Sequence, residues 1–240
     1  MTIASDPTFL ACAAAVFLGA LIQGVGGIGF AMFAAPVVAL LRPDLVPAPM
    51  IVIGGSLSLL AAAREVRHID WKDAAIAVGG RIPGSVVAGV LIGLAPRSTF
   101  AVAFALVILV AVALSVTGWR ARASPVSLAI AGFGSGVMGT ITSVGAPPMG
   151  IAMQNVEPAR LRATVGAFLF AGALVSLTVL ASAGRFGLHD FVLGLQLLVP
   201  MALGFWMSSA LMHRVHAKLV RQLVLAVSAL SAAILLVRSA

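Results

Sequence analysis

Apolar positions run along this chain in long blocks with no polar stripe, and polar residues collect in the short intervals between them. A helix that is apolar all round belongs in a membrane or a large core. The blocks cover residues 8–24, 28–41, 47–63, 74–94, 99–119, 126–138, 149–153, 161–183, 191–212 and 219–237. A membrane span takes about 20 apolar residues, so the chain holds roughly six to ten segments and no domain outside the bilayer. Two places interrupt the pattern where an ordinary span would continue. The first is Gln23-Gly24-Val25-Gly26-Gly27-Ile28-Gly29-Phe30, and the second is Gly139-Thr140-Ile141-Thr142-Ser143-Val144-Gly145-Ala146-Pro147-Pro148. Glycines free the backbone and a Pro-Pro pair removes two donors. Inside hydrocarbon such backbone is tolerated only where it is buried in protein or lines a cavity. One break in each half of the chain is the pattern of a transporter's binding site. Residues 79–84, with Gly79, Gly80, Pro83 and Gly84, predict a further interruption within the 74–94 span. About ten residues separate Pro148 from Pro158, about 15 Å of helix against about 30 Å of hydrocarbon, so this segment reads as half of a re-entrant hairpin.

Composition sharpens the class. The chain of 240 residues is 61% apolar and 9% charged, with a mean hydropathy of +1.15. Soluble domains carry about 25% charged residues, so this is an integral membrane protein. The net charge of +8 could point to nucleic acid, but the basic residues sit in short loops, where they set orientation. The expected partners are the lipid bilayer and a small anionic substrate; no nucleic acid is implied, and a homodimer is compatible. If each broken pair enters and leaves on one side and the other six segments cross, the loops holding Arg64, Arg67, Lys72, Arg120, Arg122, Arg160, Arg162, Arg214, Lys218 and Arg221 share a face. Those ten stand against Arg42, Arg97, Arg185 and Arg238 on the other. The larger group is predicted to be cytoplasmic in a cell (inner) membrane, with both termini periplasmic or extracellular. No Lys or Arg precedes Arg42, so the first block lacks a signal peptide's basic start and is expected to stay in the mature protein.

The halves also repeat. Each runs as a broken pair, a Pro-Ala (Pro47-Ala48 or Pro158-Ala159) and three spans, with Pro83 and Pro200 in the middle member of each trio. Three crossings per half is an odd number, so the halves must be oppositely oriented. The predicted fold is all-α: two inverted-topology repeats, residues 1–122 and 123–240, each a broken or re-entrant helix pair followed by three transmembrane helices.

Helices that end at a central break offer unpaired N–H groups and a partial positive charge, which suits an oxyanion. Gly24, Gly26, Gly27, Gly29 and Gly145 are predicted to give the anion access to the backbone, and Gln23, Thr140, Thr142 and Ser143 to offer polar side chains. The competing explanation is that the glycines serve helix packing and the hydroxyls bond back to their own helix. Arg81 is the one ionisable residue well inside a span, a functional candidate by default; alternatively it snorkels or binds carbonyls freed by Pro83. Arg64 and Arg162 border the cytoplasmic face, where two cations would attract anions although topology alone explains them, and Gln196 is a weaker mid-span candidate. No Asp, Glu, Lys or His lies mid-span, so no evident intramembrane proton carrier exists. Cys12 is the single cysteine, which precludes an intramolecular disulfide or thiolate metal site. The four histidines fall in loops without a metalloprotease pattern, so an enzyme is not expected and no cofactor or metal is implied.

Gly27-Ile28-Gly29-Phe30-Ala31 with Pro36 resembles the first-half signature of the sulfite exporter TauE/SafE family. Residues 139–148 followed by Leu161-Arg162-Ala163-Thr164 resemble its second-half signature, with Ala146 where the family often has a glycine. The Arg64 to Lys72 loop followed by a glycine-rich span is also similar. The resemblance covers nearly the whole chain. It implies a secondary transporter exporting small sulfur-containing anions such as sulfite, sulfoacetate or related organosulfonates. The alternatives are an importer of the same fold and a non-transporting membrane subunit that assists assembly of a partner complex.

Overall fold

The computed structural model describes residues 6–94, 99–116, 123–211 and 217–239, with side chains for all but 217–219 of these. Arg97, Arg120, Arg122 and Arg214 of the charge count, the side chain of Lys218, and the junction between the two predicted repeats at residue 122 lie outside the described residues. The described chain is helical and contains no strand. Its first half comprises α1 (Pro7–Gly26), α2 (Phe30–Leu41), α3 (Ala48–Arg64), α4 (Trp71–Leu94) and α5 (Phe100–Val116). The second comprises α6 (Pro125–Thr142), α7 (Ala146–Ala152), α8 (Pro158–Ser182), α9 (Leu188–Gln196), α10 (Leu198–Leu211) and α11 (Ala217–Ser239).

Local chemistry explains where the broken helices begin. Asp6 accepts from the Thr8 N–H at 3.0 Å ahead of Pro7, and Ser124 and Ser127 form a reciprocal capping box around Pro125. Both use a side-chain acceptor to satisfy an orphan donor and a proline where no donor is needed. The two helices are longer than a half-hairpin requires. At 20 and 18 residues, α1 and α6 can each cross a bilayer by length and composition, as can α4, α8 and α11. The chain nonetheless returns after each break. Arg42, after α2, pairs with Asp6 at the start of α1 (3.1 Å) and with Asp44 (2.7 Å). The Arg42 hydrogen bond holds the Asp44 carboxyl below its usual range. In the second half, Arg160 at the start of α8 pairs with Asp70 and Asp73 at the start of α4.

Two expectations about continuity change. Residues 79–84 do not interrupt α4, which runs unbroken through Pro83. Their glycines instead admit another helix. A Cβ at Gly80 or Gly84 would lie 2.1 Å from the carbonyl oxygen of Ala129 or Phe133, and one at Gly132 or Gly136 would lie 2.0 Å or 2.4 Å from that of Ala77 or Arg81. Glycines four apart on both helices let the backbones of α4 and α6 touch. The partners climb together, Ala77 with Gly132 and Arg81 with Gly136, so the two helices run parallel. Conversely, the 191–212 block is not one continuous helix: it divides into α9 and α10, bent by 42°, which together are still long and apolar enough for one broken span. Pro200 cannot donate to the carbonyl of Gln196 and its ring crowds that group, which places the break at Leu197.

Around these elements α1 packs on α10, α4 on α6 and α8, α3 on α8 and α9, and α5 and α2 on α11. Valines and leucines of α4 (Val86, Val87, Val90, Leu91) and Val199, Leu203 and Trp206 of α10 face outward, a surface suited to lipid. Within α2, Pro36 leaves the Met32 carbonyl without its helical donor, and the buried Ser228 hydroxyl of α11 donates to it at 2.5 Å while also reaching its own Val224 carbonyl. Ser228→Ala orphans a buried carbonyl and is expected to cost about 1–3 kcal/mol, read as a lowered thermal midpoint of the purified protein in detergent.

Candidate functional site

At the first break, α1 closes with Gly27 in the left-handed region (φ 78°), its N–H on the Gln23 carbonyl at 2.7 Å. Gly29 (φ 129°) then turns the chain into α2. A side chain is strained in either conformation. No side chain of Gly29 can cap α2, so the buried Gln23 does it from the helix before, its Oε1 accepting from the Phe30 N–H at 3.3 Å. Outside this turn, Arg64 donates from Nη2 to the Gly24 carbonyl (2.8 Å) and lies 4.6 Å over the Phe205 ring. A cation there suits the exposed carbonyls at the end of α1. Arg162 binds both Glu65 oxygens through Nε and Nη2 (2.6–3.1 Å), and its Cγ fills the space above Gly27.

At the second break, Ser143 takes the left-handed conformation (φ 68°) that glycine supplies in the first. Its hydroxyl donates to the Pro47 carbonyl at 3.0 Å. Thr142 donates to its own Met138 carbonyl (2.7 Å) and accepts from the Val144 N–H (3.2 Å), which fixes the turn. Each break therefore sits on the start of the long helix from the other half: Gly27 against Arg162 of α8, and Ser143 against the residue preceding α3.

Between the breaks lies Arg81, 3% exposed. Neither snorkelling nor a bond to a proline-freed carbonyl describes it. Nη1 donates to Ser135 Oγ at 2.7 Å and Nη2 to Ser176 Oγ at 3.2 Å, while Phe168 lies under the guanidinium at 5.3 Å. The Ser135 hydroxyl in turn donates a hydrogen bond to the Gly145 carbonyl (2.5 Å), and Ser176 shares a hydrogen bond with Thr140 (2.9 Å). Three glycines make the room: a Cβ at Gly172 would fall 2.1 Å from Nε, one at Gly139 2.8 Å from Nη2, and one at Gly145 2.8 Å from Nη1. Among the described residues no carboxylate pairs with Arg81, and its buried Nε has no partner. Arginine keeps its proton in proteins, and a buried charge without a counterion costs several kcal/mol.

Arg81 opens onto a cavity of about 40 Å³ that both breaks line: Gln23, Gly29 and Phe30 from the first, Gly139, Ser143 and Gly145 from the second, with Met50, Ile51 and Ser58 of α3 opposite. Of the sequence-predicted residues, Gln23, Gly29, Arg81, Ser143 and Gly145 line it together. Thr140 is two hydrogen bonds from Arg81, by way of Ser176. Thr142, Gly24 and Gly27 shape the turns, Gly24 packing under Ser208, while Gly26 faces a separate apolar chamber. Gln196 lies elsewhere, at the end of α9 with a buried, unpartnered Oε1. Ser58, Ser135, Ser176 and Gly172 were not evident from the sequence. A serine or glycine inside an apolar helix carries no signal of its own, although the spacing of Ser135 ten residues before Gly145 brings it back onto the second break.

Five or six apolar helices long enough to cross a bilayer, with two breaks lining one cavity beside a buried arginine, define this molecule as a multi-pass membrane protein. The family profile described as Sulfite exporter TauE/SafE matches residues 12–235. The chain belongs to that family, whose members are transporters and not enzymes. Comparison with curated proteins and with solved structures finds no match.

Proposed function

We propose that the protein exports small sulfur-containing oxyanions, sulfite or a compact organosulfonate, by alternating access, with the anion held on Arg81 where the two breaks meet. The observation that carries this reading is a buried guanidinium beside a cavity, hydrogen-bonded only to neutral hydroxyls and with an Nε–H that no described residue accepts. A mobile anion supplies the missing countercharge. Gln23 adds to the site, since no described residue accepts from its Nε2 amide. A cavity of about 40 Å³ holds roughly three water-sized groups, the scale of a sulfite or sulfonate head.

The inverted-repeat plan, residues 1–122 against 123–240, is supported by the way helices pair. Exchanging α1–α5 for α6–α11 turns the α1–α10 contact into α6–α4, and maps α3–α8 and α5–α11 onto themselves. Alternating access by rocking one repeat against the other follows naturally from such a plan. With the larger group of basic residues in the cytoplasm of an inner membrane and both termini periplasmic, expelling one negative charge down an inside-negative potential gains about 2.3 kcal/mol per 100 mV. No coupling proton is then needed.

The test is flux of labelled sulfite and sulfoacetate in proteoliposomes under an imposed potential, with Gly27→Leu beside the parent. That variant forces a side chain into the left-handed region, at about 1–2 kcal/mol, and onto Arg162 Cγ at 2.3 Å. Potential-dependent flux in the parent, lost in the variant, is the expected result. Electroneutral flux sinks the uniport mechanism, and no anion flux from folded parent protein favours the assembly-subunit reading instead.

A further inference from the structure

The head-sized cavity at Arg81 has a neighbour. An apolar chamber of about 230 Å³ lies between α1, α2, α5 and α11, walled by Val25, Ile28, Val224 and Leu225. Its polar members are Ser115 and the exposed Arg221, whose Nη2 donates to the Ser115 carbonyl at the end of α5, while the Ser115 hydroxyl donates to the Ala111 carbonyl at 2.8 Å. Gly29 and Met32 line both this chamber and the Arg81 cavity. A second apolar cavity of about 300 Å³ beside Gly134 and Pro148, and a polar one of about 530 Å³ beside Asp44 and Arg185, share no lining residue with it.

Two residues, Gly29 and Met32, are common to the linings of both spaces. Gly29 has no side chain, and its φ of 129° keeps it without one. Met32 has an unbranched side chain with three rotatable bonds, the type that adapts to irregular space. Behind it the backbone is held, since the Met32 carbonyl accepts from Ser228. The side chain is buried and its Sδ accepts from Ser115 Oγ at 3.9 Å, so a swing that opens the wall gives up that one weak bond while the helix stays in place.

Resting on the assignment of the Arg81 cavity to an anionic head, we propose that the apolar chamber is a tail subsite, reached past Met32, that admits amphiphilic oxyanions carrying an unbranched alkyl chain of a few carbons. The head cavity alone takes sulfite; the two together take an alkanesulfonate, its charged end on Arg81 and its chain beyond the Gly29–Met32 wall. Each methylene that enters leaves water for an apolar wall, which raises affinity about fourfold.

Competition in proteoliposomes of the full chain tests this. Methanesulfonate, butanesulfonate and hexanesulfonate are titrated against labelled sulfite efflux, in the parent and in Leu225→Trp and Val25→Phe, two substitutions that fill the chamber from opposite sides. The expected result is inhibition that strengthens by about fourfold per methylene from methane- to butanesulfonate in the parent. In at least one filled variant that moves sulfite at parental rates, this gradient collapses to the methanesulfonate level. Inhibition independent of chain length overturns the tail subsite and leaves the Arg81 reading intact. A gradient that persists unchanged in a filled, sulfite-competent variant also overturns it, and assigns the effect to alkyl chains partitioning into lipid. Loss of sulfite flux in both variants overturns it too, because the chamber then belongs to the moving parts of the carrier. Absence of both sulfite flux and methanesulfonate inhibition in the parent is a failure of the Arg81 reading itself.

Discussion

Arg81→Met is expected to abolish anion flux and, in the same protein, to raise thermal stability. Flux falls because the substrate loses its buried countercharge. Removing one partner of a buried, hydrogen-bonded charge pair costs about 2–5 kcal/mol, or about thirty- to several-thousandfold in transport at limiting substrate. Stability rises because the resting protein carries the opposite burden: a cation 3% exposed, with no carboxylate beside it among the described residues. Exchanging buried ionic groups for apolar ones of similar volume is often neutral or stabilising by about 1–4 kcal/mol. The hydroxyls left behind are not orphaned, since Ser135 still donates to Gly145 and Ser176 still bonds Thr140. Vesicle flux and a thermal melt in detergent read the two effects separately. Arg81→Lys keeps the charge but not the fork that reaches Ser135 and Ser176 together, so it should retain partial flux. A Met variant that is both inactive and unstable makes the arginine a structural strut, and one that transports normally removes it from the substrate path.

The same arginine marks how far the sequence could be read. A charge alone inside an apolar block is visible in one dimension because hydrocarbon punishes it, and both breaks were visible for the same reason. The family resemblance, drawn on Gly27 to Ala31 and on residues 139–148, agrees with the profile match over residues 12–235. What was ambiguous was glycine. Residues 79–84 and 23–30 have similar compositions, yet the first stretch stays helical because Gly80 and Gly84 meet the backbone of α6. Only the second turns, through Gly27 and Gly29 at positive φ. Which of these a glycine does depends on a neighbour distant in sequence. Pro83 and Pro200 present a parallel case: α4 runs through the first, and the chain breaks before the second. The partners of Arg81 were hidden because Ser135 and Ser176 lie 54 and 95 residues from it. The length of α1 and α6 was also hidden, since the glycines that end α1 still continue its helix as far as Gly26.

Gly172→Ala gives the sharpest measure of whether guanidinium placement, and not charge alone, carries transport. The position is interior to α8 with no positive φ, so alanine favours the helix itself by about 0.8–1.0 kcal/mol. The added methyl would nonetheless lie 2.1 Å from Arg81 Nε, 2.4 Å from Cδ and 2.5 Å from Cζ. Beside Nη2 and Nη1 only glycine-sized room is left at Gly139 and Gly145, so the guanidinium can yield only toward the cavity it lines. The guanidinium must leave Ser135, Ser176 or both. Hydrogen bonds to a charged group contribute about 1.5–3 kcal/mol, so flux should drop by about ten- to hundredfold, with overpacking lowering stability by about 1–3 kcal/mol. A double-mutant cycle isolates the cause. In an Arg81→Ala background the new methyl meets vacated space, and the stability cost should vanish, a coupling of about 1–3 kcal/mol between residues in contact. Additive effects would instead place the damage in the packing of α8 on α3, where Gly55 touches Ala173. Between those outcomes the cycle decides whether three glycines hold one arginine ready for an anion or merely let helices approach.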